Sequence, residues 1–444
     1  MSGSEPPIRS PIHRIVDVLS GSLLAIGHVV DPLELEKWGV MLHQALASRA
    51  REFHTHEHVL EMARHADPIC AIAALYHDIV YIQVDLGLPP RAEELLEPLL
   101  IRDGPGWRIL SPPNSAIEDV LAVFGRKEGE VLTSLHGLNE LASTMVLVSQ
   151  LKGVLTRAEC VAAAACIELT IPFREGAPEG LQKRLLAMGF AEDKVADMVR
   201  RAVRLANRDI LNFAELDPAI FLDNTWKLLP ETNPSLHSPT TYTVIEYRVA
   251  LQKMEGFLSL LPPERVFNAW GGEPAPEEHT RRVALARTNL ALAVRYLRSK
   301  LYSTAMVEAL SVATGGDMPL DYFMGGIPEA GRRVLRVEQF LPEVEPGPDA
   351  DPLLWRLLEH GRSSASSFDL SPSPLAYFLF CTLGEAAMGK GLEDARQFWA
   401  GSLDAAGFLA KQEGRSVRAI ALAASYIAVT RGAALRQLAN GNYA

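Results

Sequence analysis

The chain is 444 residues long, 48% hydrophobic and 22% charged, with a formal net charge of -11 at neutral pH. At roughly 150 residues per domain this allows two large or three ordinary domains, each with its own core, and the composition is that of a folded globular protein. The acidic balance and the lack of Lys/Arg-rich runs argue against a binder of nucleic acid or of anionic membrane surfaces.

Apolar residues recur at helical spacing along nearly the whole chain and no set of alternating strands emerges, so the expected class is all-α. After a loose tail over residues 1–10 (MSGSEPPIRS), helices are predicted over 32–48, 54–66, 68–82, 90–101, 115–124, 139–152, 156–170, 178–187, 191–215 and 242–260. The Pro- and Gly-rich stretch 259–280 (SLLPPERVFNAWGGEPAPEEHT) marks a junction. It places one domain at 11–262, a linker at 263–280 and a second helical domain at 281–444. Further helices are predicted over 278–299, 302–312, 328–336, 351–362, 372–387, 391–410 and 412–440, with EVEPGPDADP (343–352) and GRSSASSFDLSPSP (361–374) as loops. No apolar run reaches the roughly 18 residues that span a bilayer, and no export signal opens the chain. Cys70, Cys160, Cys166 and Cys381 sit in apolar helical contexts without CxxC spacing and read as reduced core thiols, which fits the cytoplasm.

The chemistry starts in the apolar run AIAALYHDIVY (71–81), which carries His77 and Asp78 side by side. An ionised carboxylate in such a setting is costly unless a charge or hydrogen bond meets it, so the pair needs a partner. Upstream, REFHTHEHVLEMARH (51–65), read as a helix, puts His54, His58, Glu61 and His65 on one stripe about 60° wide. No HExxH spacing of a zinc protease occurs, and a solvated polar stripe is the simpler alternative. Asn139 and Glu140, following Gly137, read as an N-cap and a first-turn acid. Asp209 reads as an acid within the charged helix RRAVRLANRDILNF (200–213).

Taken in order, REFHTHEHVLEMA, ALYHDIVY, LNELAS (138–143), ACIELTIPF (165–173) and ANRDILNF (206–213) give the pattern H…HD…D. This set resembles the predicted metal-dependent phosphohydrolases of the HD superfamily, over about residues 50–215. The resemblance implies an HD-type helical bundle in which His54, His77, Asp78 and Asp209 ligate a metal ion and Glu140 faces the metal pocket; Asp85, Glu168 and Asp217 are rivals for the distal ligand. Arg51 and Arg174 are candidate phosphate contacts, with a solvated arginine as the alternative for each. A shell of imidazoles and carboxylates suits Mn²⁺, Fe²⁺, Co²⁺, Ni²⁺ or Zn²⁺ better than Mg²⁺. Two ions fit if Asp78 bridges them and His58 reaches the second; otherwise His58 contacts the phosphate or protonates the leaving oxygen. His65, His136, His237, His279 and His360 read as structural.

The expected activity is therefore metal-assisted hydrolysis of a phosphate monoester or diester, with a nucleotide as the substrate class and water lowered in pKa by the ion as nucleophile. The alternatives are a non-catalytic HD scaffold that binds a nucleotide or protein partner, and a metal-dependent oxygenase on a similar helical frame. The C-terminal region shows no catalytic constellation: TGGD (314–317) and MGGIPEAG (324–331) lack P-loop or dinucleotide spacing. The Ala- and Leu-rich VRAIALAASYIAVTRGAALRQL (417–438) suits close helix packing or a homodimer face.

Overall fold

The computed structural model describes residues 9–238, 240–328, 333–364 and 366–441. It is 66% helix and 3% strand, in line with the all-α expectation. Among the described residues no helix is long and apolar enough to cross a membrane. The chain forms two compact units, Met1–Ala214 with Pro262–Ala286, and Glu215–Leu261 with Arg287–Ala444.

Unit 1 begins with α1 (Pro11–Ala25) and α2 (Pro32–Leu46), then α3 (His56–Ala63), α4 (Pro68–Tyr76), α5 (Ile82–Asp85) and α6 (Pro90–Leu96). Proline at the first turn starts α1, α2, α4 and α6, where its missing N–H costs nothing. Helix α1 falls outside the predicted elements, although Ile15, Leu19 and Leu23, spaced by four, are all buried. A small antiparallel sheet follows: β1 (Leu100–Asp103) pairs with β2 (Gly106–Ile109), which pairs with β3 (Val131–Leu132). These strands are too short for alternation to register in the sequence, and a two-residue Gly104-Pro105 turn with Gly104 at φ 59° closes the hairpin.

Helices α7 (Ser115–Phe124), α8 (Leu138–Leu151), α9 (Arg157–Thr170), α10 (Ala177–Ala187) and α11 (Glu192–Asp209) complete the bundle. Helix α9 is closed by a capping box between Thr156 and Glu159, and most of its length is buried, as an Ala- and Cys-rich helix allows. The segment read as a linker instead packs on this unit. Val266 and Phe267 are buried, and Asn207 exchanges hydrogen bonds with the backbone of Asn268 at 2.7 and 2.8 Å. Apolar residues inside the Pro/Gly-rich stretch explain the difference: they give it something to bury.

Unit 2 contains α12 (Pro218–Thr232), α13 (Val244–Leu260), the part of α14 (Pro276–Ala313) from Arg287 onward, α15 (Asp321–Met324), α16 (Pro352–His360), α17 (Pro374–Leu383), α18 (Glu385–Trp399), α19 (Ala405–Lys411), α20 (Gly414–Ile427) and α21 (Gly432–Ala439). Helix α12 is another element beyond the predicted set, although Asp217 and Pro218 supply its cap and first turn. The predicted break between 299 and 302 is absent. Ser299, Ser303 and Thr304 turn their hydroxyls back onto carbonyls three or four residues earlier, so these buried polar groups are satisfied inside a continuous helix. Of the predicted helix 328–336, residues 329–332 lie outside the described residues, and 333–336 are not helical. Trp226, Tyr296, Tyr302, Phe323, Phe368 and Phe408 are fully buried in this unit.

One glycine fixes the entry to α8. Gly137 sits at φ 74°, and a Cβ there would come within 2.4 Å of Ile171 Cδ1. Gly137→Ala is expected to cost about 2–4 kcal/mol, combining left-handed strain with overpacking; a lowered urea midpoint in chemical unfolding checks it.

Candidate metal centre

Four ligand atoms, one each from His58, His77, Asp78 and Asp209, lie within 4.8 Å of one another. They come from three elements: His58 from the first turn of α3, His77 and Asp78 from the C-cap of α4 and the residue beyond, and Asp209 from the last residue of α11. His77 Nε2 is 2.8 Å from Asp78 Oδ2 and 3.6 Å from Asp209 Oδ1, while His58 Nε2 is 3.0 Å from Asp209 Oδ1 and 3.7 Å from Asp78 Oδ2. Ligands bound to one ion at about 2.0–2.2 Å stand roughly 3 Å apart when adjacent and about 4 Å apart when opposite, so these separations suit a shared cation.

The hydrogen bonding tests that fit. His77 Nε2, Asp78 Oδ2 and Glu140 Oε2 are shut off from solvent and make no hydrogen bond, although the first two are within contact distance. Native structures rarely leave such atoms unpaired, and a cation between them satisfies both at once. His77 Nδ1 meets the Ala74 carbonyl at 2.8 Å, so Nδ1 keeps its proton and Nε2 is the nitrogen whose lone pair a bound ion would take once its own proton has left. Helices α4 and α11 both end here, and their carbonyl ends favour positive charge. The residues present fit a divalent ion.

The electrostatics agree. Burial works against the charge of His77, but the Asp78 and Asp209 carboxylates override it and push the imidazole well above its usual range. Burial likewise opposes ionisation of Asp78 and Asp209. The neighbouring histidines prevail in both cases, holding Asp78 far below the carboxylate range and Asp209 at about 2. Glu140 goes the other way: burial and repulsion from Asp78 and Asp209 raise it to about 7. His77 is closed at 1% exposure, whereas Asp78, Asp209 and His58 keep 20%, 15% and 12%, so the cluster has an open side.

The surroundings correct several expectations. Residues 51–55 are not helical, so His54 lies on the approach to α3 rather than on a shared stripe. Its ring packs edge-on against Tyr81 at 4.8 Å and His58 at 5.8 Å, and its charge helps to depress Asp78. His54 thus stands next to the group of four, in which the imidazole from α3 is that of His58. Glu61 is exposed beside Arg64, and His65 lies beyond the helix at φ 56°.

Arg51 is buried with its side chain at 0% exposure, in an ion pair with Asp85 at 2.6 Å. It also donates to the carbonyls of His54, Asp78 and Ile79. Arg51 therefore clamps the turn after α4 instead of reaching a phosphate, and Asp85 is its counterion rather than a distal ligand. Arg174, a third exposed, is held by Glu168 at 2.7 Å and by the carbonyls of Glu168 and Ile171. Asn139 is no N-cap, because Gly137 occupies that position. Its Oδ1 accepts the Ile82 N–H at 3.2 Å, and Ser143, one turn on, accepts the Val80 N–H at 3.1 Å. Asn139 and Ser143, four apart on one face of α8, thus fasten the other side of the same turn; the sequence signal for it was a polar pair on an otherwise apolar helix.

Two outcomes follow from this geometry. Arg51→Met should cost about 3–5 kcal/mol by stranding Asp85, and should weaken metal binding about 10–100-fold by loosening the turn; unfolding curves and a metal titration read the two effects separately. Because His77, held protonated by the two carboxylates, must lose a proton as an ion binds, affinity for Mn²⁺ or Zn²⁺ should keep rising as the pH climbs above the ordinary histidine range, with proton release measurable by calorimetry in buffers of different ionisation enthalpy.

Comparison of the chain with protein-family models, with curated protein sequences and with solved structures finds no match to any of them.

Proposed function

We propose that unit 1 is an HD-type metal-dependent phosphohydrolase that cleaves a phosphate monoester or diester, with a nucleotide as the substrate class. The observation that carries this reading is the convergence of His58, His77, Asp78 and Asp209, with two facing atoms left without hydrogen bonds. The ordered sequence motifs support it, since four of the five quoted segments contribute to the cluster or to the turn that holds it.

The chain's own residues would divide the work as follows. His58, His77, Asp78 and Asp209 would hold the ion, which when bound supplies Lewis acidity and hydroxide near neutral pH. Asp209 Oδ1 lies 3.0 Å from His58 Nε2, so these two ligands stand ready side by side and an ion would take the place of the bond between them. Glu140, raised to about 7, can keep or give up a proton near neutrality, as a group that passes protons between water and a leaving oxygen must. Arg51 and the Asn139–Ser143 pair keep the His77–Asp78 turn in place without touching substrate.

One observation favours a second reading. Both arginines predicted to meet phosphate are engaged by internal carboxylates, and a metal-dependent oxygenase on the same frame has no need of them. Phosphate release from a panel of nucleoside monophosphates and cyclic nucleotides, with and without Mn²⁺, separates the readings. Turnover that needs metal and falls about 10²–10⁴-fold in Glu140→Gln supports hydrolysis. No release across the panel, together with oxygen uptake in the presence of Fe²⁺, would overturn it.

A further inference from the structure

Two cysteines of unit 1 meet in its interior. Cys70 Sγ, from the first turn of α4, stands 3.9 Å from Cys166 Sγ, from the second half of α9, although the residues are 96 apart in the chain. Both are free thiols and both are buried, at 3% and 0% exposure. Neither belongs to the candidate metal centre. Cys70 Sγ also lies 3.5 Å from the Arg201 carbonyl, so the pair sits where α4, α9 and α11 come together.

A disulfide holds its sulfurs about 2.05 Å apart, so these two need to close by roughly 1.9 Å. Helices α4 and α9 pack on each other, and both are alanine-rich around the pair, CAIAA over 70–74 and AAAAC over 162–166. Small side chains let two helix backbones approach, so rotation of the thiols with a slight shift of the helices covers that span. The two sulfurs differ in access. Cys166 is sealed, whereas Cys70 lines a cavity of about 390 Å³ bordered by His65, Arg204 and Arg208. A molecule as small as hydrogen peroxide fits there and meets the first sulfur before the second.

We propose that Cys70 and Cys166 are a dithiol that a hydroperoxide converts to a disulfide within the chain, Cys70 reacting first and Cys166 resolving. The Cys70 sulfur, on losing its proton, attacks the peroxide: an S–O bond forms, the O–O bond breaks, and the departing hydroxide takes up the proton as water. The Cys166 sulfur then attacks the sulfenic acid. The S–S bond forms, the S–O bond breaks, and the hydroxyl leaves with the Cys166 proton as a second water. Two thiols are oxidised and one peroxide is reduced. The contact with Cys166 and burial hold the Cys70 thiol well above its usual range, so the pair withstands traces of oxidant and closes under sustained exposure. The link would join α9 to α4, the helix whose far end is capped by His77, and it stands independently of the hydrolase reading.

The test uses the full chain, reduced, freed of reductant and held folded at neutral pH with a chelator while hydrogen peroxide is present for hours. Remaining thiols are then alkylated, and the protein is digested without reductant for mass spectrometry. A peptide pair joining Cys70 to Cys166 is expected, at a yield independent of protein concentration and lost on adding dithiothreitol. This readout needs no variant to fold. The link should persist in Cys160→Ala and in Cys381→Ala, and in Cys166→Ala a dimedone adduct should collect on Cys70 at several times the wild-type level. Exposure that oxidises surface methionines yet leaves Cys70 and Cys166 alkylated as free thiols, a link from either residue to Cys160 or Cys381 instead, or a link formed only between chains would each overturn the assignment.

Discussion

A carboxylate and an imidazole, adjacent in the chain, are held 2.8 Å apart at the end of an apolar helix without a hydrogen bond between them. That arrangement is unfavourable in isolation, because two desolvated polar atoms point at the same small space. It persists because the surrounding framework over-determines it. His77 cannot rotate while its Nδ1–H is bonded to Ala74, and Asp78 cannot withdraw while its carbonyl is held by Arg51. The unmet demand for a cation is therefore built into the backbone.

The framework is itself a layer of buried polar groups that are fully satisfied. Arg51 has its charge met by Asp85 and its remaining donors taken by carbonyls, and Asn139 spends its oxygen on Ile82 and its amide nitrogen on Gln83. Such groups contribute little net stability compared with apolar replacements, but they fix one geometry among many. The satisfied layer outside and the unsatisfied atoms inside divide the labour of a site that must be rigid yet reactive. Glu140 belongs to the inner group, since its carboxyl shares the negative field of the two aspartates without sharing their histidine partners.

Unit 2 buries charge in a different way. The cluster in unit 1 gathers carboxylates that call for a cation, whereas the buried Asp369 carboxylate of unit 2 already has Lys300 at 2.8 Å and Arg362 at 3.7 Å. In both, the charge is shielded by helices whose apolar faces make up most of the core, so water screens these pairs little. The overall charge of -11 conceals this contrast, because solvated surface acids dominate it.

The sequence by itself determined the helical class and the need of the His77–Asp78 pair for a partner, since apolar periodicity and a charge within an apolar run are local properties. It reached Asp209 and Glu140 only through the resemblance, because by themselves both read as ordinary helix acids. Only the tertiary structure decided that His58 rather than His54 completes the group of four, that Arg51 and Asp85 form a clamp, and that Asn139 fastens a turn instead of capping a helix. The reason is directional: where α3 begins sets which imidazole faces α4 and α11, and that start depends on packing the chain around residues far away in sequence. Short strands, a helix through a polar stretch, and apolar anchors within a Pro/Gly-rich segment were hidden for the same reason, because long-range burial outweighs local preference there.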